Sequence, residues 1–412
     1  MDILVNCGRR GFLSSLGVAG VGLASGLFEP DALGLAASEQ KGPEFLLPAG
    51  LAYLNTGSLG PTSRKVLEAT LQAWYELETN PVGESWGEGK VIVATDKVRE
   101  RAAAFLGCGV DELLMTRSTT EGMNSVALGI HFNRGDRVLT TDQEHEGGTN
   151  GWSYRARRDG VIIDKIAVGF GDYDPKALLR LFADAITKDT RVISVSHVLS
   201  PTGLLMPVKE IASLARSRGI LCVVDGAQAV GQMPVNVKEL GCHAYATSGH
   251  KWMLGPKGTG MLYVSNDAKG LIEPVQREDG VRCSADSGGM TSLPLVVGLG
   301  AAIDAMQTRG MSSIESHNLA LRNRAYAELV KLPRVKMMSP PPGPQATALV
   351  AFTLPVEFES RAFQMNVLRT KYNIVTKMAE KRWFNGLRIS PHVFNTEEDV
   401  ERVVEALRAE LG

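Results

Sequence analysis

The sequence predicts an α/β fold, a mostly parallel sheet covered by helices on both faces, followed by a smaller C-terminal α+β domain. Three observations predict it. Between residues 112 and 265, short strand-like runs bounded by turn signals alternate with amphipathic stretches of helical length. Several of those runs are almost continuously apolar, as strands buried on both faces are. After about residue 267 the alternation stops, and a Pro-rich break, SPPPGPQ (339–345), separates longer helical stretches from the end of the chain.

Taken in order, the strand candidates are ELLMT (112–116), RVLTT (137–141), RVISVS (191–196), LCVVD (221–225) and GMLYVS (260–265). The helices between them include PKALLRLFADAIT (175–187) and VKEIASLARSRG (208–219). Beyond them come a helical stretch at about 296–308, the strand ALVAFTL, the helix RAFQMNVLRTKY, a strand near 386–389 and the final helix EEDVERVVEALRAEL. In parallel sheets of this kind, ligands gather beyond the carboxyl ends of the strands. The expected division is a signal peptide at 1–36, an N-terminal segment at 37–61, a large domain at 62–295, and a linking helix with the small domain at 296–412.

Composition narrows the function. The 412 residues are 44% hydrophobic and 22% charged, enough for a sizeable core. Lys and Arg number 44 against 45 Asp and Glu, so the formal charge is -1 and nothing favours a nucleic-acid partner. The seven histidines are scattered, without a metal-binding spacing. Residues 7–28, CGRRGFLSSLGVAGVGLASGLF, pair two arginines with a short Gly/Ala-rich apolar run. That run is shorter than the roughly 20 residues a membrane span needs. It reads as an export signal of twin-arginine type, with cleavage after Gly34-Leu35-Ala36, which places the mature protein in the periplasm. The alternative is a frayed N-terminal helix. Of the five cysteines, Cys108, Cys222, Cys242 and Cys283 would remain, with no C-x-x-C pair.

The chemistry concentrates in SGHKWMLGPKGTG (248–260), where Lys251 sits among small and polar residues. A desolvated lysine gives up its proton more readily and reacts with carbonyls; a solvated turn lysine is the plain alternative. Asp225 closes the apolar run LCVVD, 26 residues before Lys251. A carboxylate there is either a helix cap or the anion that keeps a pyridine nitrogen protonated.

With these stretches in order, YLNTGSLGP (53–61), VLTTDQEH, HKW, GPKGTG and LRISPHVFNTEEDV (387–400), the chain resembles the class V aminotransferase superfamily of pyridoxal-phosphate enzymes. Within it the chain is most similar to isopenicillin-N-epimerase-like proteins. The resemblance implies fold type I with a seven-stranded sheet, and pyridoxal 5'-phosphate as cofactor. It also implies a homodimer and a small amino substrate. Lys251 matches the lysine that holds the cofactor, Asp225 its pyridinium partner, and Gln228 the residue bonded to the ring hydroxyl. Thr119 and Thr120 in RSTTEG match the phosphate loop, and Ser248 and His250 match further phosphate contacts. His145 matches the residue stacked on the ring, while Arg388 and Asn55 match substrate-binding positions.

Three departures follow. The stretch at 371–387 holds no cysteine, where the superfamily's desulfurases carry a nucleophilic one. Ser200 stands where many relatives place an asparagine near the ring oxygen. The Gly-Thr that relatives lend to the neighbouring subunit's phosphate falls near Gly289-Met290-Thr291. The resemblance therefore implies chemistry at the α carbon of an amino acid or amine, with Lys251 as base and transamination as the leading outcome. Epimerisation, elimination or C–S lysis, and a non-catalytic periplasmic binding protein are the alternatives. Export points by analogy to a peptidic metabolite as substrate.

Overall fold

The computed structural model describes residues 44–86, 88–170, 174–273 and 291–412. The expected signal peptide, Cys283 and Gly289-Met290 lie outside the described residues. The chain starts with a short strand, β1 (Ala52–Tyr53), and three helices, α1 (Arg64–Thr79), α2 (Pro81–Trp86) and α3 (Lys90–Leu106). Strands and helices then alternate: β2 (Leu113–Thr116), α4 (Thr119–Gly129), β3 (Arg137–Thr141), α5 (Glu146–Asp159), β4 (Ile162–Ile166) and α6 (Pro175–Ala185). They continue with β5 (Thr190–Ser196), α7 (Val208–Ser217), β6 (Leu221–Asp225), α8 (Val237–Leu240), β7 (Ala244–Ser248) and β8 (Gly260–Val264).

These strands form one seven-stranded sheet in the order β2-β8-β7-β6-β5-β3-β4. β8 runs antiparallel to both neighbours, and the remaining pairs are parallel. The apolar run LCVVD becomes β6, buried along its whole length. Alternate residues on its strands feed two cores: Leu139, Cys222 and Val224 join one, Val138, Leu221 and Val223 the other. That two-sided burial is the physical reason the run lacks alternation.

The C-terminal part comprises α9 (Leu293–Arg309), α10 (Met311–Leu329), β9 (Val350–Thr353), α11 (Ser360–Ala362), α12 (Thr370–Tyr372), β10 (Ile374–Val375), β11 (Lys377–Met378), β12 (Gly386–Ile389) and α13 (Glu397–Leu411). A wide helical turn at Phe363–Arg369 joins α11 to α12. β11-β12-β9 form an antiparallel sheet, packed with α10 and α13 around Phe352, Leu387 and Val403. β1 pairs in parallel with β10, Ala52 opposite Ile374. This pairing carries the LNTGSLG segment up to β12, where Gly57 N–H donates to Ser390 Oγ at 3.0 Å.

Two strands of the seven-stranded sheet and the long helix α10 are among the elements the sequence expectation does not name. β4 is an edge strand with mixed exposure, IIDKI, and β7 is AYATS, too small and polar to stand out. α10 buries Ile314, Asn318, Leu321, Arg322, Ala325 and Leu329. Its inward stripe is helical in spacing, yet Asn318 and Arg322 interrupt the apolar pattern.

Candidate active site

β5, β6 and β7 end, at Ser196, Asp225 and Ser248, on one cavity of about 260 Å³. Ten of the eleven expected site residues line it: Thr119, Thr120, His145, Ser200, Asp225, Gln228, Ser248, His250, Lys251 and Arg388. Asn55 does not. It bridges to Ser390, its Oδ1 is buried without a partner, and its segment contributes Gly57 and Ser58 to the wall instead.

Lys251 leaves the end of β7 in a tight turn closed by Leu254 N–H on the Lys251 carbonyl at 3.1 Å. Leu254 adopts φ 56°, a left-handed conformation uncommon for a branched residue, held by its burial. Burial pulls the Lys251 ammonium down to about 8, with Arg388 and Lys377 adding to the shift and Asp225 opposing it. Asp225 ends β6, where Oδ1 accepts the Ala227 N–H at 2.9 Å. Its Oδ2 lies so close to α5 that a Cβ on Gly148 would stand 2.6 Å away. The Gly147-Gly148 pair therefore lets the start of α5 press against the carboxylate.

His145 caps that helix. Its Nδ1 accepts the Gly147 N–H at 3.0 Å, which leaves the ring proton on Nε2. Burial and then Lys251 lower its pKa, so the ring is neutral. Glu144, missed in the sequence, is buried and pushed up to about 7, mainly by that burial. It accepts from Ser196 Oγ at 2.5 Å and Thr141 Oγ1 at 2.7 Å. Ser196 lies opposite Asp225 in the sheet register, so Glu144 fixes the strand end beside the carboxylate.

At the other end, Ser118 caps α4, and Ser248 Oγ accepts the Thr119 N–H at 2.9 Å. Thr119 is thereby tied to Ser248, and Thr120 presents the helix N-terminus to the cavity. His250 is held neutral by burial, at about 4, with Nδ1 buried and unpartnered.

Gln228 is tied at both ends, by Nε2 to the Gly57 carbonyl at 2.8 Å and by Oε1 to Trp252 Nε1 at 2.9 Å. One amide N–H remains for a ligand. Ser200 lines the cavity and holds Arg388. Its carbonyl and Oγ accept from Arg388 Nη1 at 2.7 and 2.9 Å. Arg388 is buried, its Nε has no partner, and burial lowers it to about 10, still charged at neutral pH. The cavity wall also includes Lys377, Glu380 and Trp383, which the sequence reading passed over. Trp383 Nε1 donates to the Asp142 carbonyl and Arg382 to that of Glu144, fastening this wall to the His145 segment. Thr291 lies outside the lining of the cavity in its own chain.

A family model described as aminotransferase class-V matches residues 52–403. The chain is 31% identical over 309 residues to a probable cysteine desulfurase of Methanothermobacter thermautotrophicus, covering 70% of this chain and 75% of that one. It is 29% identical to isopenicillin N epimerase of Amycolatopsis lactamdurans, covering 88% and 96% of the two chains. Among solved structures, the apo cysteine desulfurase of Thermococcus onnurineus NA1 superposes with a TM-score of 0.78 at 26% identity, over 89% of this chain and 96% of that one.

The family is pyridoxal-phosphate-dependent, and the cavity fits that cofactor. Asp225 lines the cavity from a strand end, Lys251 is a readily neutralised amine, and α4 offers its N-terminus for a phosphate. His250 Nδ1 is a buried polar atom awaiting a partner. On the family match and this fit, the chain belongs to the class-V aminotransferases, a family of pyridoxal-phosphate-dependent enzymes.

Proposed function

We propose that this protein removes the α proton of an amino-acid substrate, that transamination is the outcome, and that Arg388 holds the substrate's carboxylate. One observation carries the reading: a lysine drawn down to about 8 shares a cavity with a buried arginine whose Nε has no partner. Pyridoxal phosphate, when bound, supplies a conjugated acceptor for the electron pair left as the Cα–H bond breaks. Lys251 would hold the cofactor through its aldehyde, and its free amine would take the proton from Cα as general base. Asp225 would keep the ring nitrogen protonated, Thr120 and Ser248 would hold the phosphate, and His145 would lie against the ring as a neutral imidazole. Ser200 aims the guanidinium of Arg388 by holding Nη1, which leaves its remaining N–H groups for a carboxylate.

Persulfide chemistry fits less well. The wall at 371–387 has no thiol, and Cys108, Cys222 and Cys242 lie outside the cavity lining. Burial pushes the thiols of Cys108 and Cys222 up to about 12. Epimerisation is the second reading, favoured by the similarity to an isopenicillin N epimerase over nearly the full length of both chains.

The test is the fate of the α proton. Purified protein should carry a yellow chromophore that Lys251→Ala loses. With an amino acid and no acceptor, keto acid supports transamination. Deuterium entering Cα without keto acid moves the assignment to epimerisation, and ammonia with pyruvate moves it to elimination. A chromophore that borohydride still fixes to the chain in Lys251→Ala sinks the reading altogether. Homodimerisation and twin-arginine export to the periplasm belong to the same proposal, and solution mass and cell fractionation test them.

A further inference from the structure

Arg388 does not stand alone in the cavity. In the antiparallel pairing of β11 with β12, Lys377 lies directly opposite Arg388, so the two side chains leave the same face of the sheet. Both line the cavity. Like charges opposite each other in a ladder destabilise it, so a pair of this kind calls for an anion to neutralise it. Protein carboxylates supply one only in part. Among the described residues Lys377 has no ion pair; Glu380, on the same wall, attracts both cations without contacting either and makes its ion pair with Arg382 Nε at 2.8 Å. Arg388 is 3% exposed, with Nε unpartnered, and its one pair of hydrogen bonds is to neutral Ser200. The phosphate site lies apart from this pair, at the start of α4 with Ser248 and His250.

A substrate bearing a single carboxylate would neutralise one of these cations and leave the other unpaired in a half-closed cavity. From this juxtaposition we infer that the substrate is an amino acid with a second carboxylate on its side chain, which Lys377 binds while Arg388 holds the α-carboxylate. The inference rests on the proposed role of Arg388. Trp383, on the same wall, gives the aliphatic part of such a side chain an apolar surface.

The test uses two unreactive ligands of equal chain length, glutarate and valerate, titrated into the cofactor-loaded protein by calorimetry. Glutarate is expected to bind roughly tenfold more tightly, the scale of one added charge-assisted contact. Lys377→Met should abolish that advantage by weakening glutarate alone, and Lys377→Arg should restore most of it. Equal affinities in the unmodified protein overturn the inference. So does a Lys377→Met variant that weakens both ligands alike, because Lys377 would then share a single carboxylate with Arg388. The underlying reading fails separately: Arg388→Gln that leaves both affinities unchanged removes the carboxylate site, whatever Lys377 does.

Discussion

Two cations and one carboxylate act on Lys251 in opposite directions, against a background of burial that already favours its neutral form. The neutral amine is the reactive form. Uptake of pyridoxal phosphate by apo-protein, followed by absorbance, should therefore speed up as pH rises and level off above about 8. Arg388→Gln removes a neighbouring positive charge and is expected to raise that midpoint. Asp225→Asn removes the opposing negative charge and is expected to lower it. A midpoint near the ordinary lysine value in the unmodified protein would contradict the burial argument. Gly148 gives a second test at this scale. A methyl there would stand 2.6 Å from Asp225 Oδ2, so Gly148→Ala must displace either the carboxylate or the start of α5. Overpacking of this kind costs about 1–3 kcal/mol. On the role proposed for Asp225, activity should fall at least roughly tenfold. Lys251 and Asp225 were legible in the sequence because their residue type and setting already pointed to chemistry. The partners of Gln228 and Ser200 were not, since Gly57 and Arg388 stand 171 and 188 residues away and only the fold brings them together.

The elements show the same division between local and tertiary information. β6 announced itself as an unbroken apolar run ending in a carboxylate. α13 matched its expected bounds because its cap is written locally: Thr396 accepts the Asp399 N–H, and Asp399 returns the bond to Thr396. β4, on the sheet edge, and α10, with Asn318 and Arg322 on its buried face, carried no such local signal. The α13 cap also reaches beyond its helix, because Asp399 Oδ2 holds Asn395, whose amide donates to the Tyr53 carbonyl at 3.0 Å. Thr396→Ala is expected to lower stability by about 1 kcal/mol in urea unfolding. Activity per folded molecule should stay unchanged, because the cap stands behind the β1 segment and contributes no group to the cavity. A loss of activity without loss of stability would show that the β1 segment moves with the cap.

At the scale of the whole molecule, the histidines scattered along the sequence become acid-sensitive groups. Burial lowers His197, His243, His250 and His392 each to about 4. His392 shows why the fold resists protonation. Its Nε2–H donates to the Trp252 carbonyl at 2.6 Å, and its Nδ1 accepts the Val393 N–H at 2.8 Å, so a second ring proton would break a bond beside the lysine turn. The unfolded chain binds these protons near pH 6.5, whereas the folded chain refuses them until about 4. The stability they confer is complete above 6.5 and is lost as pH falls through that window. For His197 and His392, the two most deeply buried, the loss is on the order of 3 kcal/mol each at most. Glu144 works against them. Its carboxyl is raised to about 7, so between 4.5 and 7 it stabilises the fold more as pH falls. With four histidines against one carboxyl, the urea midpoint is expected to drop between pH 6.5 and 4.5 and to drop more steeply in Glu144→Gln. A midpoint that stays level across that range would mean that the buried rings accept protons in the folded protein. His392 would then have to release Val393, and the turn that carries Lys251 would loosen before the molecule unfolds.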